Sequence, residues 1–174
     1  MVRQIISIFL FLICFSANAQ QYLAKDGTIS FFSKAPVEDI SAINNKVSAV
    51  YDAKTKDLVF QLSITDFIFP KSLMQEHFNE NYLESDIFPT STFVGKVVSH
   101  KNGVANVEGK LTIHGQANDV SVFGDLQVND NTASISGVKF SVKLKDYTIK
   151  VPRIVMYNIA EEIEIQVSIE MKKQ

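Results

Sequence analysis

The sequence predicts an all-β protein, an antiparallel meander of eight strands with one amphipathic helix in a strand connection. Three observations predict it. Apolar side chains recur at every second position over much of the chain. Short polar turns separate these runs. The strand–helix–strand alternation that a parallel sheet needs does not occur.

Taken in order, the chain opens on a leader. Arg3 supplies a positive end, Ile5 to Phe15 is almost wholly apolar, and Ala17-Asn18-Ala19 has the small-x-small pattern of a signal peptidase site. Residues 1–19 are therefore expected to be a signal peptide and residues 20–174 one domain, exported to the periplasm or secreted. The apolar run is shorter than the ~20 residues that span a bilayer, and no later run is longer. Cys14, the only cysteine, lies in the leader. The exported domain can then use no disulfide, thiol nucleophile or thiolate metal ligand. It carries 16 basic and 19 acidic side chains, a formal charge of −3, without a basic run. That excludes non-specific nucleic-acid binding and docking on anionic membranes.

Strands are expected at Thr28 to Ser33, around Val47 to Tyr51, at Asp57 to Thr65, Thr92 to Ser99, Val104 to Ile113, Val120 to Val128 and Thr132 to Leu144. The last strand is the clearest: Ile163, Ile165, Val167, Ile169 and Met171 alternate with Glu162, Glu164, Gln166, Ser168 and Glu170, giving one dry face and one wet face. Lys101-Asn102-Gly103, His114-Gly115 and Asn129-Asp130-Asn131 carry turn chemistry. Ser72 to Ser85 breaks the period of two. Leu73, Met74, His77, Phe78 and Tyr82 share helical spacing there, and Ser72 with Gln75 has the form of a capping box. A short helical turn is also expected over Val37 to Ile43.

A closed sheet of this size has an interior just wide enough to be filled by side chains or to hold one small ligand. Apolar residues inside are the rule, so composition alone favours a filled core. Strand parity nominates Phe31, Phe60, Leu62, Phe93, Phe123 and Phe140 as lining, with Phe67, Phe69, Met74 and Phe78 at the mouth. His114 is a turn residue or a polar group at the cavity rim. A metal site built on Glu76, His77 and His114 is disfavoured, because the helix offers no second histidine on the face of His77. No Gly-x-Ser-x-Gly elbow or Gly-rich phosphate loop is present, and no catalytic residue, metal or cofactor is expected.

Four words in the sequence resemble a known family: Ser30-Phe31-Phe32-Ser33-Lys34-Ala35-Pro36-Val37-Glu38-Asp39-Ile40; Met74 to Asp86 with Phe88-Pro89 and Thr92-Phe93; Gly109-Lys110-Leu111-Thr112-Ile113-His114-Gly115; and Lys145-Asp146-Tyr147-Thr148-Ile149-Lys150-Val151-Pro152. Their order and spacing are similar to those of the YceI-like family of exported lipid- or polyisoprenoid-binding proteins. The resemblance covers essentially the whole exported chain. It implies a lipocalin-like eight-stranded barrel with helical cover, a long cavity for an isoprenoid or acyl chain, a periplasmic setting and often a homodimer. It thereby reverses the expectation of a filled core and makes a lipid-like small molecule the expected partner. One departure is Thr148, where relatives commonly have Gly, which tolerates backbone geometry that Thr does not.

Overall fold

The computed structural model of the chain describes residues 20–34, 39–150 and 160–174. The expected signal peptide lies outside them. Eight strands form a closed barrel in chain order. They are β1 (Gln21–Ser33), β2 (Ile40–Asp52), β3 (Asp57–Ser63), β4 (Thr90–Lys101), β5 (Val104–Ile113), β6 (Gln116–Val128), β7 (Thr132–Lys143) and β8 (Glu162–Lys173). Every neighbouring pair is antiparallel, and β1 closes on β8 from Tyr22↔Lys173 to Phe32↔Glu164. Closure removes the free edges that an eight-stranded open sheet would expose.

β1 and β2 are longer than their alternation suggests, because each is interrupted. The β1–β2 register shifts between Ala24 and Gly27 and again before Ile29, so Lys25 and Asp26 are both exposed while Ala24 and Gly27 are both buried. In β2, Asn44 and Val47 are buried with two exposed residues between them. Such bulges break a period of two without ending the strand. Ile40 to Ile43, expected in a helical turn, is strand paired with Ser30 to Ser33; the rest of that expected turn, 37–38, lies outside the described residues. Asn44 reads as a turn residue but is fully buried. Its amide donates to the Ser63 carbonyl (2.9 Å) and its side-chain oxygen accepts from Lys46 N–H (2.9 Å), which satisfies the buried group.

The two ends of the barrel differ. At one end β2–β3, β4–β5 and β6–β7 are joined by short turns, with Lys56, Asn102 and Gly103 at positive φ. The interior behind these turns is solid. Tyr22 and Tyr51 stack with ring centroids 6.3 Å apart, and Ala24, Val47, Ala49, Ala133, Ile169 and Met171 fill the space around them. Ala24 pairs with Ala49 beside the Tyr22↔Tyr51 pair, so small residues make room for the two rings. The Tyr22 hydroxyl donates to the Asn129 carbonyl at 2.8 Å.

The other end carries the long connections. Between β3 and β4 run a 3₁₀ turn (Ile64–Asp66), the helix α1 (Ser72–His77) and a π-helical turn (Phe78–Tyr82). A second 3₁₀ turn (Leu144–Tyr147) follows β7. The capping box is not formed: the helix starts from Lys71 without a side-chain cap, and Gln75 Oε1 instead accepts from Phe69 N–H at 3.4 Å. Of the expected apolar face, Met74, Phe78 and Tyr82 pack on the core while Leu73 is 60 % exposed.

A candidate ligand-binding cavity

The half of the barrel beneath the helical cover is hollow. Its cavity has a volume of about 410 Å³, within the ~300–1,000 Å³ usual for small-molecule sites. Its floor is Leu58, Val97, Ala105, Leu126 and Ile135, the residues next to the tyrosine plug. Its walls are the inward faces of all strands except β2's buried half: Ile29 and Phe31 from β1, Phe60 and Leu62 from β3, Phe93 from β4, Val107 and Leu111 from β5, Val120 from β6, Phe140 and Val142 from β7, and Ile163, Ile165 and Val167 from β8. Alternation puts these side chains on one face of each strand, and closure of the sheet turns that face inward.

Glycine keeps the lumen open. Gly95 and Gly109 face each other across β4 and β5. A Cβ on Gly95 would lie 2.4 Å from Phe93 Cζ, and one on Gly109 would lie 2.8 Å from the same atom. The Phe93 ring therefore lies flat over the glycine pair instead of projecting across the barrel. Phe60 meets it with centroids 6.0 Å apart.

The mouth is closed by four aromatic rings. Phe31 lies 5.5 Å from Phe67, 5.7 Å from Phe69 and 5.5 Å from Phe78, and Phe69 and Phe78 are 4.9 Å apart. Phe67, Phe69 and Phe78 come from the β3–β4 connection, so β1 and the helical cover meet in this cluster. Met74 also lines it.

Two lining serines turn their hydroxyls to protein partners. Ser91 Oγ donates to the Thr112 carbonyl at 2.7 Å, and Ser33 Oγ accepts from Ala160 N–H at 3.2 Å. Tyr82 and Tyr147 line the upper wall, and burial raises both phenols above their usual range; for Tyr147 a bond to Asn118 partly offsets this and the Asp146 charge adds to it. Both rings thus stay neutral. An interior of this kind offers an apolar chain dispersion contacts and little competing polarity.

Nine of the expected site residues lie around this cavity as inward or mouth residues: Phe31, Phe60, Leu62, Phe67, Phe69, Met74, Phe78, Phe93 and Phe140. Two stand elsewhere. Phe123 is 63 % exposed on the outer face of β6 and borders the cavity only next to Gly124, an inward position with no side chain to cover the strand. His114 is buried outside the cavity. Its Nδ1 is 3.2 Å from the Tyr147 carbonyl, its Nε2 is 2.8 Å from Glu84 Oε2, and its ring meets Phe88 at 4.4 Å. It ties the β3–β4 cover and the turn after β7 to the β5–β6 hairpin. His77 borders the cavity near the mouth, remote from those bonds. Among the described residues no group of three His, Cys, Asp or Glu side chains is gathered at one point. The sequence reasoning put Tyr82 on the helix face but not among the lining, and it missed the β8 wall and Tyr147. The β8 signal was present in its alternation, whereas Tyr147 sits in a connection that has no period.

A closed eight-stranded antiparallel barrel, plugged at one end and apolar and hollow at the other, defines the class of protein. The YceI-like domain matches residues 19–171, and the chain belongs to that family. Among solved structures it is similar to Burkholderia cenocepacia BcnA (18% identity, TM-score 0.73, 83% of this chain and 95% of that one). It is also similar to a polyisoprenoid binding domain from Saccharophagus degradans implicated in plant cell wall breakdown (10% identity, TM-score 0.75, 90% and 99%). A Campylobacter jejuni YCEI protein matches at 17% identity and TM-score 0.63 (75% and 83%). Comparison with curated proteins gave no match.

Proposed function

We propose that this protein binds or carries the apolar chain of a polyisoprenoid, quinone or fatty-acid derivative in the cell envelope, without chemistry on it. The observation that carries the reading is the apolar cavity of about 410 Å³ under the aromatic mouth. Family membership and the resemblance to a polyisoprenoid binding domain support it. The driving force is removal of apolar ligand surface from water, roughly 25 cal/mol per Å² before the costs of association. Export through the leader, to the periplasm or the medium, and pairing into a homodimer are part of the proposal.

Gentle purification, solvent extraction and mass spectrometry test it. A stoichiometric isoprenoid or acyl compound supports the reading, and a clean apo mass after incubation with envelope lipids refutes it. The lining is tested by Phe60→Asp against Val59→Asp, its outward neighbour. Uptake is expected to be lost in the first and kept in the second, with both folded by circular dichroism.

A further inference from the structure

Among the described residues the barrel opens between strands in two places, and only one of these is sealed by described main chain. β2 and β3 are laddered from Ser48↔Gln61 to Tyr51↔Leu58 and then diverge. Main chain fills that gap: Ile43 and Ile68 exchange two backbone hydrogen bonds (3.1 and 2.8 Å), Asn44 bonds the Ser63 carbonyl, and Lys46 pairs with Asp66 at 2.8 Å.

The second divergence lies between β6 and β7. Their ladder runs only from Asp125↔Ser136 to Val128↔Ala133. Above it β6 continues to Gln116, paired along its whole length with β5, and β7 continues to Lys143, paired with β8. Gly137, at φ 64°, marks the point of separation, where the β7–β8 register also shifts. Side-chain pairs near the seam run away from it: Lys110–Asp119 and Ser121–Asn106 to β5, Lys139–Glu164 and Lys143–Glu162 to β8. At its top, Asn118 donates to the Asp146 carbonyl at 2.7 Å. Between these limits each wall presents apolar side chains, Val120 and Val122 from β6 and Val138 and Phe140 from β7, and all four line the cavity.

We infer that this seam is the lateral gate through which the apolar chain enters and leaves. The inference rests on the binding reading proposed above. Parting the seam breaks no ladder hydrogen bond and costs apolar contacts, which the passing chain replaces. Entry through the mouth would instead require the four-ring aromatic cluster and its helical cover to come apart.

The structure offers a staple. A Cβ on Gly124 lies 3.4 Å from Val138 Cβ, at the short end of the ~3.5–4.5 Å span of disulfides. Gly124→Cys with Val138→Cys, in a Cys14→Ser background, should lock the hinge of the seam on oxidation. Loading of cis-parinaric acid, followed by stopped-flow fluorescence, is expected to slow roughly tenfold or more in the oxidised form and to recover in dithiothreitol. Val138→Ala, which needs no cross-link, is expected to speed both loading and release. Equal rates for oxidised and reduced staple, or rates unchanged in Val138→Ala, would overturn the gate while leaving the binding reading intact. Failure of the unaltered protein to take up the probe would overturn both.

Discussion

Thr148 holds a backbone conformation suited to another residue. It follows the 3₁₀ turn Leu144–Tyr147 at φ 58°, ψ 20°, and its N–H bonds the Lys145 carbonyl at 3.1 Å. A β-branched residue in the left-handed region is strained by about 1–2 kcal/mol. Thr148→Gly is therefore expected to raise stability by roughly 1 kcal/mol, seen as a higher denaturant midpoint at unchanged slope. Tyr51 shows the opposite economy. Its ring is 1 % exposed, and burial, aided by the neighbouring Tyr22 and Asp52, raises its phenol above the ordinary range. The fold thus favours the neutral form. Its contribution is complete below the unfolded value near pH 10 and is lost as pH rises through the higher folded value. Stability is expected to fall above about pH 10, and less steeply in Tyr51→Phe, as measured by denaturation at stepped alkaline pH.

At the scale of elements, the strands are held by ladders and the cover by a few side chains. His114 and Gly115 have φ 50° and 72°, the geometry of a two-residue hairpin between Ile113 and Gln116. The turn residue is also the clamp, because its ring reaches Glu84 and the Tyr147 carbonyl. His114→Ala should destabilise by about 1–3 kcal/mol, since it leaves a buried carbonyl unpaired. Hydrogen exchange is expected to quicken in Leu83–Phe88 more than in β5. Probe affinity should change little, because His114 does not line the cavity. The helix illustrates the limit of periodicity at this scale. Met74, Phe78 and Tyr82, four residues apart, stay on the core through six residues of α-helix and the π turn that follows, while Leu73, one residue before Met74, stays outside.

At the scale of the whole molecule, stability and binding occupy different halves of one barrel. Met171 is fully buried in the plugged half and does not line the cavity. Met171→Ala is expected to cost about 2–5 kcal/mol in unfolding free energy and to leave probe stoichiometry unchanged, which titration by fluorescence and native mass spectrometry would check. The cavity half sacrifices packing: Gly95 and Gly109 leave inward positions bare, and Phe93 lies down on them. A side chain at either position would have to displace Phe93 and the paired strand's main chain, which a Cβ would approach to 2.4 Å at Gly95 and 2.5 Å at Gly109.

Alternation of apolar and polar residues determined the class of fold, the antiparallel meander and the inward faces of β3 and β8, because a strand's period of two is a local property. Turn chemistry determined three hairpins for the same reason. The interruptions in β1 and β2 were hidden: a bulge is recognisable only against a paired strand, and Asn44 reads as a turn until its partners at Ser63 and Lys46 are in place. Parity also misjudged Phe123, since its count along β6 has to be anchored by the register with β5, where it stands opposite Asn106. Whether the barrel was filled or hollow was likewise beyond the sequence alone. Volume inside a closed sheet depends on which side chains from eight strands meet at one level. Tertiary structure decided that, by gathering tyrosine, methionine and alanine at one end and phenylalanine with glycine at the other.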